Sequence, residues 1–385
     1  MKHPHDLRLN RRQWLLATTA ALTGCGGGGG SNLAGAPGTG GTGIGMQGPI
    51  TGFGSVIVNN TKFDDSAASV YLDGDKLSST DLRVGMVASI NGSLDASGVS
   101  GSATRIDVWS IASGVVSQVD SAGSTFSMFS KVGVIGMDFS TDVATSFEGL
   151  PNLAAISVGT PLTVWGVQTS ADGSTWRATR VKLLASQPTT IVTTGLFKAS
   201  TQKLNDMLLS GSLVSGFADM QLLRLEGSFD SLANLLAVTK ATPIAAAQQV
   251  ASSGLVEVDG VVTAYTSGTD FYIGTTRVNA SKAPGSSGVG LNSMVEVTGS
   301  MQNGVLIASK VEIKSGNSRA QVDITGVISS FTSPSDFEVR GQKCDASTAT
   351  VIHLGSSSVQ NGTKVRVLGT SQGHETLAVQ TLYIY

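Results

Sequence analysis

Five times along this chain a short run of alternating apolar residues closes on a glycine. That recurrence constrains the fold more than any other feature. The copies are Gly85-Met86-Val87-Ala88-Ser89-Ile90-Asn91-Gly92, Gly159-Thr160-Pro161-Leu162-Thr163-Val164-Trp165-Gly166, Met220-Gln221-Leu222-Leu223-Arg224-Leu225-Glu226-Gly227, Asn292-Ser293-Met294-Val295-Glu296-Val297-Thr298-Gly299 and Gly362-Thr363-Lys364-Val365-Arg366-Val367-Leu368-Gly369. One apolar column is Ala88, Leu162, Leu223, Val295 and Val365; two residues on, another is Ile90, Val164, Leu225, Val297 and Val367. Between them stand Ser89, Thr163, Arg224, Glu296 and Arg366. Such a period of two belongs to a strand with one dry face and one wet face.

A second element opens each copy: Gly48-Pro49-Ile50, Gly114-Val115-Val116, Gly195-Leu196-Phe197, Gly260-Val261-Val262 and Gly326-Val327-Ile328, at spacings of 66, 81, 65 and 66 residues. Phe-led runs (Phe126-Ser127-Met128, Phe271-Tyr272-Ile273, Phe337-Glu338-Val339) and Ala-led runs (Ala103 to Ile106, Ala178 to Val181, Ala308 to Val311) supply further strands. The third copy departs most, and its Gln202 to Leu209 and Ser231 to Ala247 are expected to carry helical turns. About five short strands in so small a unit bury a small core and leave two edges. Closure into a barrel removes both edges. The fold class expected is all-β, a tandem array of small OB-like β-barrels strung along the chain. A five-bladed propeller or a β-solenoid is the alternative, although propeller blades have four strands and solenoid coils are shorter.

The first residues read as an address. Lys2, Arg8, Arg11 and Arg12 precede the apolar run from Trp14 to Leu22, which is too short to span a bilayer and fits an export signal. Leu22-Thr23-Gly24-Cys25 resembles the bacterial lipoprotein box. That resemblance implies diacylglyceryl transfer to the Cys25 thiol and signal cleavage between Gly24 and Cys25; a chance cysteine behind an ordinary signal is the alternative. Arg11-Arg12-Gln13-Trp14-Leu15 resembles a twin-arginine export motif, with Asn10 in place of Ser or Thr and Trp14 where Phe is common. The same two arginines would also serve as plain leader charge. Gly26, rather than Asp, after the lipid cysteine implies the outer membrane. Gly26 to Gln47 is rich in Gly, Ala, Thr and Pro and is expected to be a flexible linker. It holds a GxGxxG match from Gly38 to Gly43, but no predicted strand precedes it and no helix follows, so phosphate binding is not expected. The organisation predicted is therefore 1–24 signal peptide, 25–47 lipidated cysteine and linker, and repeats at 48–110, 111–186, 187–249, 250–316 and 317–385.

Gly48-Pro49-Ile50-Thr51-Gly52-Phe53-Gly54-Ser55-Val56-Ile57-Val58-Asn59, with Leu82-Arg83-Val84-Gly85-Met86-Val87, resembles an uncharacterised bacterial domain family of unknown function that occurs in tandem in secreted or lipid-anchored proteins. Copies two, four and five match it in outline and copy three weakly. The resemblance implies small β domains and carries no activity or site residues.

Composition narrows the function classes. The chain has a net charge of −2, which becomes −5 once residues 1–24 are removed, so the basic footprint of a nucleic-acid binder is missing. Two cysteines, Cys25 and Cys344, build no disulfide framework. With His3 and His5 in the leader, only His353 and His374 remain, the first on a half-buried strand and the second on an exposed turn. They are thin material for His-based catalysis or a His-based metal site, no dense loop of oxygen ligands suits Ca²⁺, and no cofactor is expected. Asp73-Gly74 fits a hairpin turn better than a metal loop. Cys344 reads as a small packed residue, with Lys343 beside it. Trp109, Trp165 and Trp176 are the candidate ligand-contact aromatics, and Tyr265 and Tyr272 are also of interest. Trp165 lies opposite Val164 and is expected to be exposed, either stacking on a ligand or packing between units. The function expected is a non-enzymatic binding, spacer or assembly role in a lipid-anchored envelope protein, with the membrane as partner through Cys25. A carbohydrate- or peptidoglycan-binding protein, engaging cell-wall glycan or an envelope protein, is the first alternative. An envelope hydrolase is the second.

Overall fold

Each apolar column lies inside a closed barrel. The computed structural model describes residues 43–130, 136–244, 254–314 and 321–385. Unit 1 comprises strands Gly43–Phe53, Val56–Val58, Thr61–Asp64, Val87–Leu94 and Ser100–Val108. Unit 2 has Ala112–Asp120, Thr125–Met128, Met137–Ser140, Pro161–Gln168 and Thr175–Leu183. Unit 3 has Ile191–Lys198, Lys203–Leu204, Met207–Ser210, Leu222–Asp230 and Leu235–Pro243. Unit 4 has Leu255–Ser267, Asp270–Ile273, Thr276–Asn279, Met294–Gln302 and Val305–Lys314. Unit 5 has Gln321–Ser333, Asp336–Val339, Gln342–Asp345, Lys364–Thr370 and Leu377–Ile384.

In every unit the first strand pairs antiparallel with the second and the second with the third. The third lies parallel to the fifth, the fifth pairs with the fourth, and the fourth returns to the first. This closed order, 1-2-3-5-4-1, is OB-like. Units 1, 2 and 5 each lay at least one extra short strand parallel to the fifth: Ser69–Leu72, Ser146–Glu148 and Thr350–His353. Among the described residues there is no α-helix, only the 3-10 turns Ser79–Asp81, Leu153–Ala155 and Ser212–Val214. No described helix is long and apolar enough to cross a membrane.

The glycine closing each sequence copy does not end a strand. Gly92, Gly166, Gly227, Gly299 and Gly369 each sit at a register shift within the fourth strand. A Cβ there would lie 2.1–2.4 Å from a carbonyl oxygen of the fifth strand in all five units. The bulge brings the two backbones so close that only hydrogen fits. A second recurring geometry precedes the fourth strand. Backbone N–H of Gly85, Gly159, Met220, Asn292 and Gly362 donates to the first strand's Ile50, Val116, Phe197, Val262 and Ile328 at 2.7–2.9 Å. All five residues have positive φ, which explains why glycine fills three of these places, while copies three and four use Met220 (φ 60°) and Asn292 (φ 66°).

Two expectations change. Lys203–Leu204, Met207–Ser210 and Leu235–Pro243 are strands, not helical turns. The buried positions Leu204, Met207 and Leu209 straddle a turn held by Asn205 at φ 52°, so the spacing looks helical while the chain reverses between strands. The linker expected over residues 25–47 is also cut short, because a strand begins at Gly43. Gly43–Phe53 is one strand, and Ile44 and Met46 are fully buried in the core of unit 1. The glycine-rich composition masked this alternation of Ile44, Met46 and Ile50.

The described residues form a single compact body in which the tandem barrels pack on one another. The first strands join the units. Gly43–Phe53 pairs parallel with Leu255–Ser267, from Ile44↔Leu255 to Gln47↔Val258, and with Gln321–Ser333 at Gly52↔Asp323 and Phe53↔Ile324. Ala112–Asp120 meets Ile191–Lys198 at Ser113↔Val192. Apolar residues of units 1 and 5 form one buried cluster and those of units 2 and 3 another, while unit 4 keeps its own.

Candidate functional site

The outward polar column was expected to be wet. Because the barrels pack on one another, much of it lies in seams. Arg224 is 1% exposed. Its Nε donates to Ser110 O at 2.8 Å, and Nη2 reaches Ser110 Oγ and Asp73 Oδ2, both at 3.1 Å. Nη1 donates to Glu226 at 2.5 Å. Asp73 in turn accepts from Ser110 N at 2.7 Å and Ser110 Oγ at 2.8 Å. Burial raises the Asp73 carboxyl despite the opposing pull of Arg224 and the Ser110 hydrogen bonds. Asp73 (φ 56°) and Gly74 (φ 92°) do form the hairpin turn between Ser69–Leu72 and Asp75–Leu77. The tie from that turn to unit 3 was not legible locally. A second buried cation, Arg180, 2% exposed, donates to Val84 O of unit 1 at 2.8 Å and pairs with Glu148. At the seam with unit 5, Glu375 accepts from Gly149 N at 2.7 Å and from Lys343 Nζ at 2.9 Å.

Where the seams do not close, a cleft of about 430 Å³ opens among units 1 to 4. Trp109, Asp107 and Gln47 come from unit 1, Trp176 and Gln168 from unit 2, Leu222 and Pro243 from unit 3, and Asp259, Val258 and Ile273 from unit 4. Trp109 is partly buried, with the Arg224 guanidinium 5.7 Å from its ring centroid. Trp176 is 4% exposed and its indole N–H donates to Gly173 O at 3.0 Å, so the edge that reaches the cleft is apolar. Gln168 Nε2 donates to Ser170 O at 2.7 Å. Arg105 is neutralised by a bidentate pair to Asp107, both contacts at 2.6 Å. Asp259 Oδ1 is buried without a hydrogen-bond partner.

Asp259 also borders a second cavity of about 430 Å³, shared by units 1, 2, 4 and 5 and lined by Glu296, Glu312, Lys314 and Arg177. Burial, then the neighbouring Glu296 charge, pushes Asp259 up to about 6. The same two causes push Glu257 up to about 7, against a hydrogen bond from Asn59 and the charges of Lys314 and Lys310.

Of the aromatics singled out, Trp109 and Trp176 meet in the first cleft. Trp165 does not: it is 3% exposed and packs into the apolar cluster of units 1 and 5, so its candidacy as a ligand-contact aromatic is corrected and packing between units holds. Its position opposite the interior column was read correctly, but that outer face meets another barrel. Tyr265 is exposed and lies outside the cleft. Cys344 is fully buried, its Sγ against Gln342 O at 3.4 Å, and burial pushes its thiol up to about 12. Lys343 pairs with Glu375 instead. His353, expected half-buried, is exposed at the edge of unit 5, and His374 is exposed beside Asn152. Among the described residues no group of three or more His, Cys, Asp or Glu could hold a metal ion. Arg11, Arg12, Gly24 and Cys25 lie outside the described residues. Asp259, Gln168 and Arg224 escaped the sequence reading, since their importance depends on which barrel faces them.

Residues 47–107, 113–182 and 325–380 each match a family model described as a domain of unknown function, DUF5666. These are units 1, 2 and 5. No curated protein matches the chain.

Proposed function

Since three of its five barrels belong to the DUF5666 domain family, we propose that the chain is a cell-envelope protein, held at the outer membrane by acyl chains on Cys25, that works by binding rather than by catalysis. The observation that carries the anchor is the run Leu22-Thr23-Gly24-Cys25 followed by Gly26 to Gly30. A thiol placed directly behind two small residues and an apolar segment suits acylation, and the glycine run frees the lipidated end from the folded body. The residues after it, up to where Gly43–Phe53 begins, serve as a leash. What favours binding is the cleft whose walls come from four units and which brings together two indoles, amide side chains and the Asp259 carboxylate. A spacer needs no such concavity, and a site of this size and mixed polarity suits a small ligand.

The anchor is tested by Cys25→Ser expressed in a bacterial host. The unaltered chain should fractionate with membranes and carry the mass of attached acyl groups. The variant should lack that mass and appear in the soluble fraction. Unchanged membrane fractionation of the variant would refute the anchor.

A further inference from the structure

We propose that the cleft among units 1 to 4 is a binding site for an uncharged saccharide of one or two rings. This deepens the binding role put forward above and rests on it. The cavity of about 430 Å³ lies within the range of small-molecule sites, roughly 300–1,000 Å³. Its walls are of two kinds. Trp109, Trp176 and Ile273 offer apolar surface, and Gln47, Gln168 and Asp259 offer hydrogen bonds. A pyranose matches both, since its C–H faces are apolar and its rim carries hydroxyls.

Charge narrows the class. Arg105 is occupied by Asp107 in a two-point pair, so it is not free to receive an anion. Asp259 and its neighbour Glu296 would repel a phosphate or carboxylate. Asp259 lines this cleft as well as the second cavity, and a carboxylate there calls for a donor. A sugar hydroxyl supplies one without adding charge. An organic cation has less to gain, because Arg177 and Lys314 already act on this carboxylate and Arg105 lines the same cleft. Trp109 is held in place before any ligand arrives: the Arg224 guanidinium sits at its ring and the Gly74 turn lies beside it, where a Cβ would be only 3.5 Å from Cη2. A pre-positioned aromatic loses little freedom on binding.

The test is calorimetric titration of the whole mature chain with cellobiose, maltose and N,N′-diacetylchitobiose, and with choline chloride and glucose 6-phosphate as charged probes. At least one uncharged disaccharide should give saturable one-to-one heat, with neither charged probe binding more tightly. Trp109→Ala should weaken that binding about tenfold or more. Asp259→Asn should weaken it about fivefold or more, as a charge-assisted acceptor is lost. Tyr265→Ala, exposed and outside the cleft, should leave it unchanged. Should Trp109→Ala melt early, Asp259→Asn decides alone, since loss of a poorly solvated charge does not threaten the fold. The site is overturned by absence of heat from all three disaccharides, by tighter binding of choline or of the sugar phosphate, or by binding that survives Asp259→Asn. Membrane fractionation of Cys25→Ser is read separately, so an empty cleft on a membrane-attached chain sinks the site and leaves the anchor standing.

Discussion

The bulge glycines and the turn glycines should fail for different reasons and by different amounts. At Gly299 a new Cβ would lie 2.2 Å from Ile307 O, and the backbone is not left-handed, so crowding is the whole effect. Relief to 3.0 Å requires the fourth and fifth strands of unit 4 to part by close to an ångström. That forfeits one or two ladder hydrogen bonds at ~1 kcal/mol each and adds an overpacking cost of ~1–3 kcal/mol. Lower chain entropy in the unfolded state returns ~0.4–1 kcal/mol. Gly299→Ala should therefore cost about 3 kcal/mol. At Gly362 the opposite holds: φ is +89° and nothing lies within 4 Å, so only left-handed strain enters. That strain is ~1–2 kcal/mol, and the same entropy return leaves Gly362→Ala near ~1 kcal/mol. Hydrogen exchange followed by mass spectrometry reads each unit locally. Protection should collapse over Met294–Gln302 in the first variant and fall only modestly over Lys364–Thr370 in the second. A loss at Gly362→Ala equal to or greater than that at Gly299→Ala would refute the reasoning.

Two further perturbations probe the seams. Arg224→Met removes a buried guanidinium but leaves Asp73 and Glu226, whose side chains are 27% and 22% exposed, so the cost falls at the low end for a broken buried pair, about 2–3 kcal/mol. Thermal unfolding should show Arg224→Met with Asp73→Asn losing less than the sum of the single changes, and a single-variant loss under ~1 kcal/mol would contradict the assigned role. Stability should also fall as pH rises from 5 to 7.5. The folded chain holds protons on Asp259 up to about 6 and on Glu257 up to about 7, while the unfolded chain has released them near 4, so the native state binds the excess protons in this window. The carboxyls held below their usual range, such as Asp172 and Glu148, act at lower pH and do not mask the effect. Each tenfold gain in proton affinity on folding corresponds to ~1.4 kcal/mol, so the loss across the window amounts to a few kcal/mol. Glu257→Gln with Asp259→Asn should flatten the dependence of the urea midpoint on pH; an unaltered slope would remove these two groups as its cause.

The barrels were legible because what makes them is local and repeated. Ala88 and Ile90, Val164 and Leu162, Val295 and Val297 alternate with polar residues, and burial of one face needs no knowledge of the rest of the chain. Closure followed from the cost of open edges. The first strand was only half legible, since Ile44 and Met46 are embedded among glycines that read as linker. The site was legible as a set of residue types and not as a place. Trp109 and Trp176 are recognisable as uncommon aromatics, yet nothing in their neighbourhoods says that they share a cleft while Trp165 is enclosed elsewhere. That depends on pairings such as Gln47↔Val258, which join residues more than 200 positions apart.

Copies that must each close a barrel can differ only where the barrel's interior does not decide. The column between the aliphatic ones shows where that freedom went. Arg224 meets Ser110 and Asp73 of unit 1. Arg366 clamps Asp323 through two contacts of 2.7 Å, and Lys62 of unit 1 approaches the same carboxylate at 3.5 Å. Glu296 stands by Glu257 and Asp259 and is paired with Lys314. One register position thus carries different chemistry in different units: in unit 3 it reaches across to unit 1, while in units 4 and 5 it pairs with side chains of its own unit. Independent modules on long tethers would gain only effective concentration from their linkage. Here Val108 and Ala112 are separated by three residues, the first strands pair across units, and buried arginines cross the seams. A cleft built from four barrels exists only while those seams hold. The divergence among copies that made the third hardest to align is therefore also what fixes the walls of the site, with Arg224 both tying unit 3 to unit 1 and positioning Trp109.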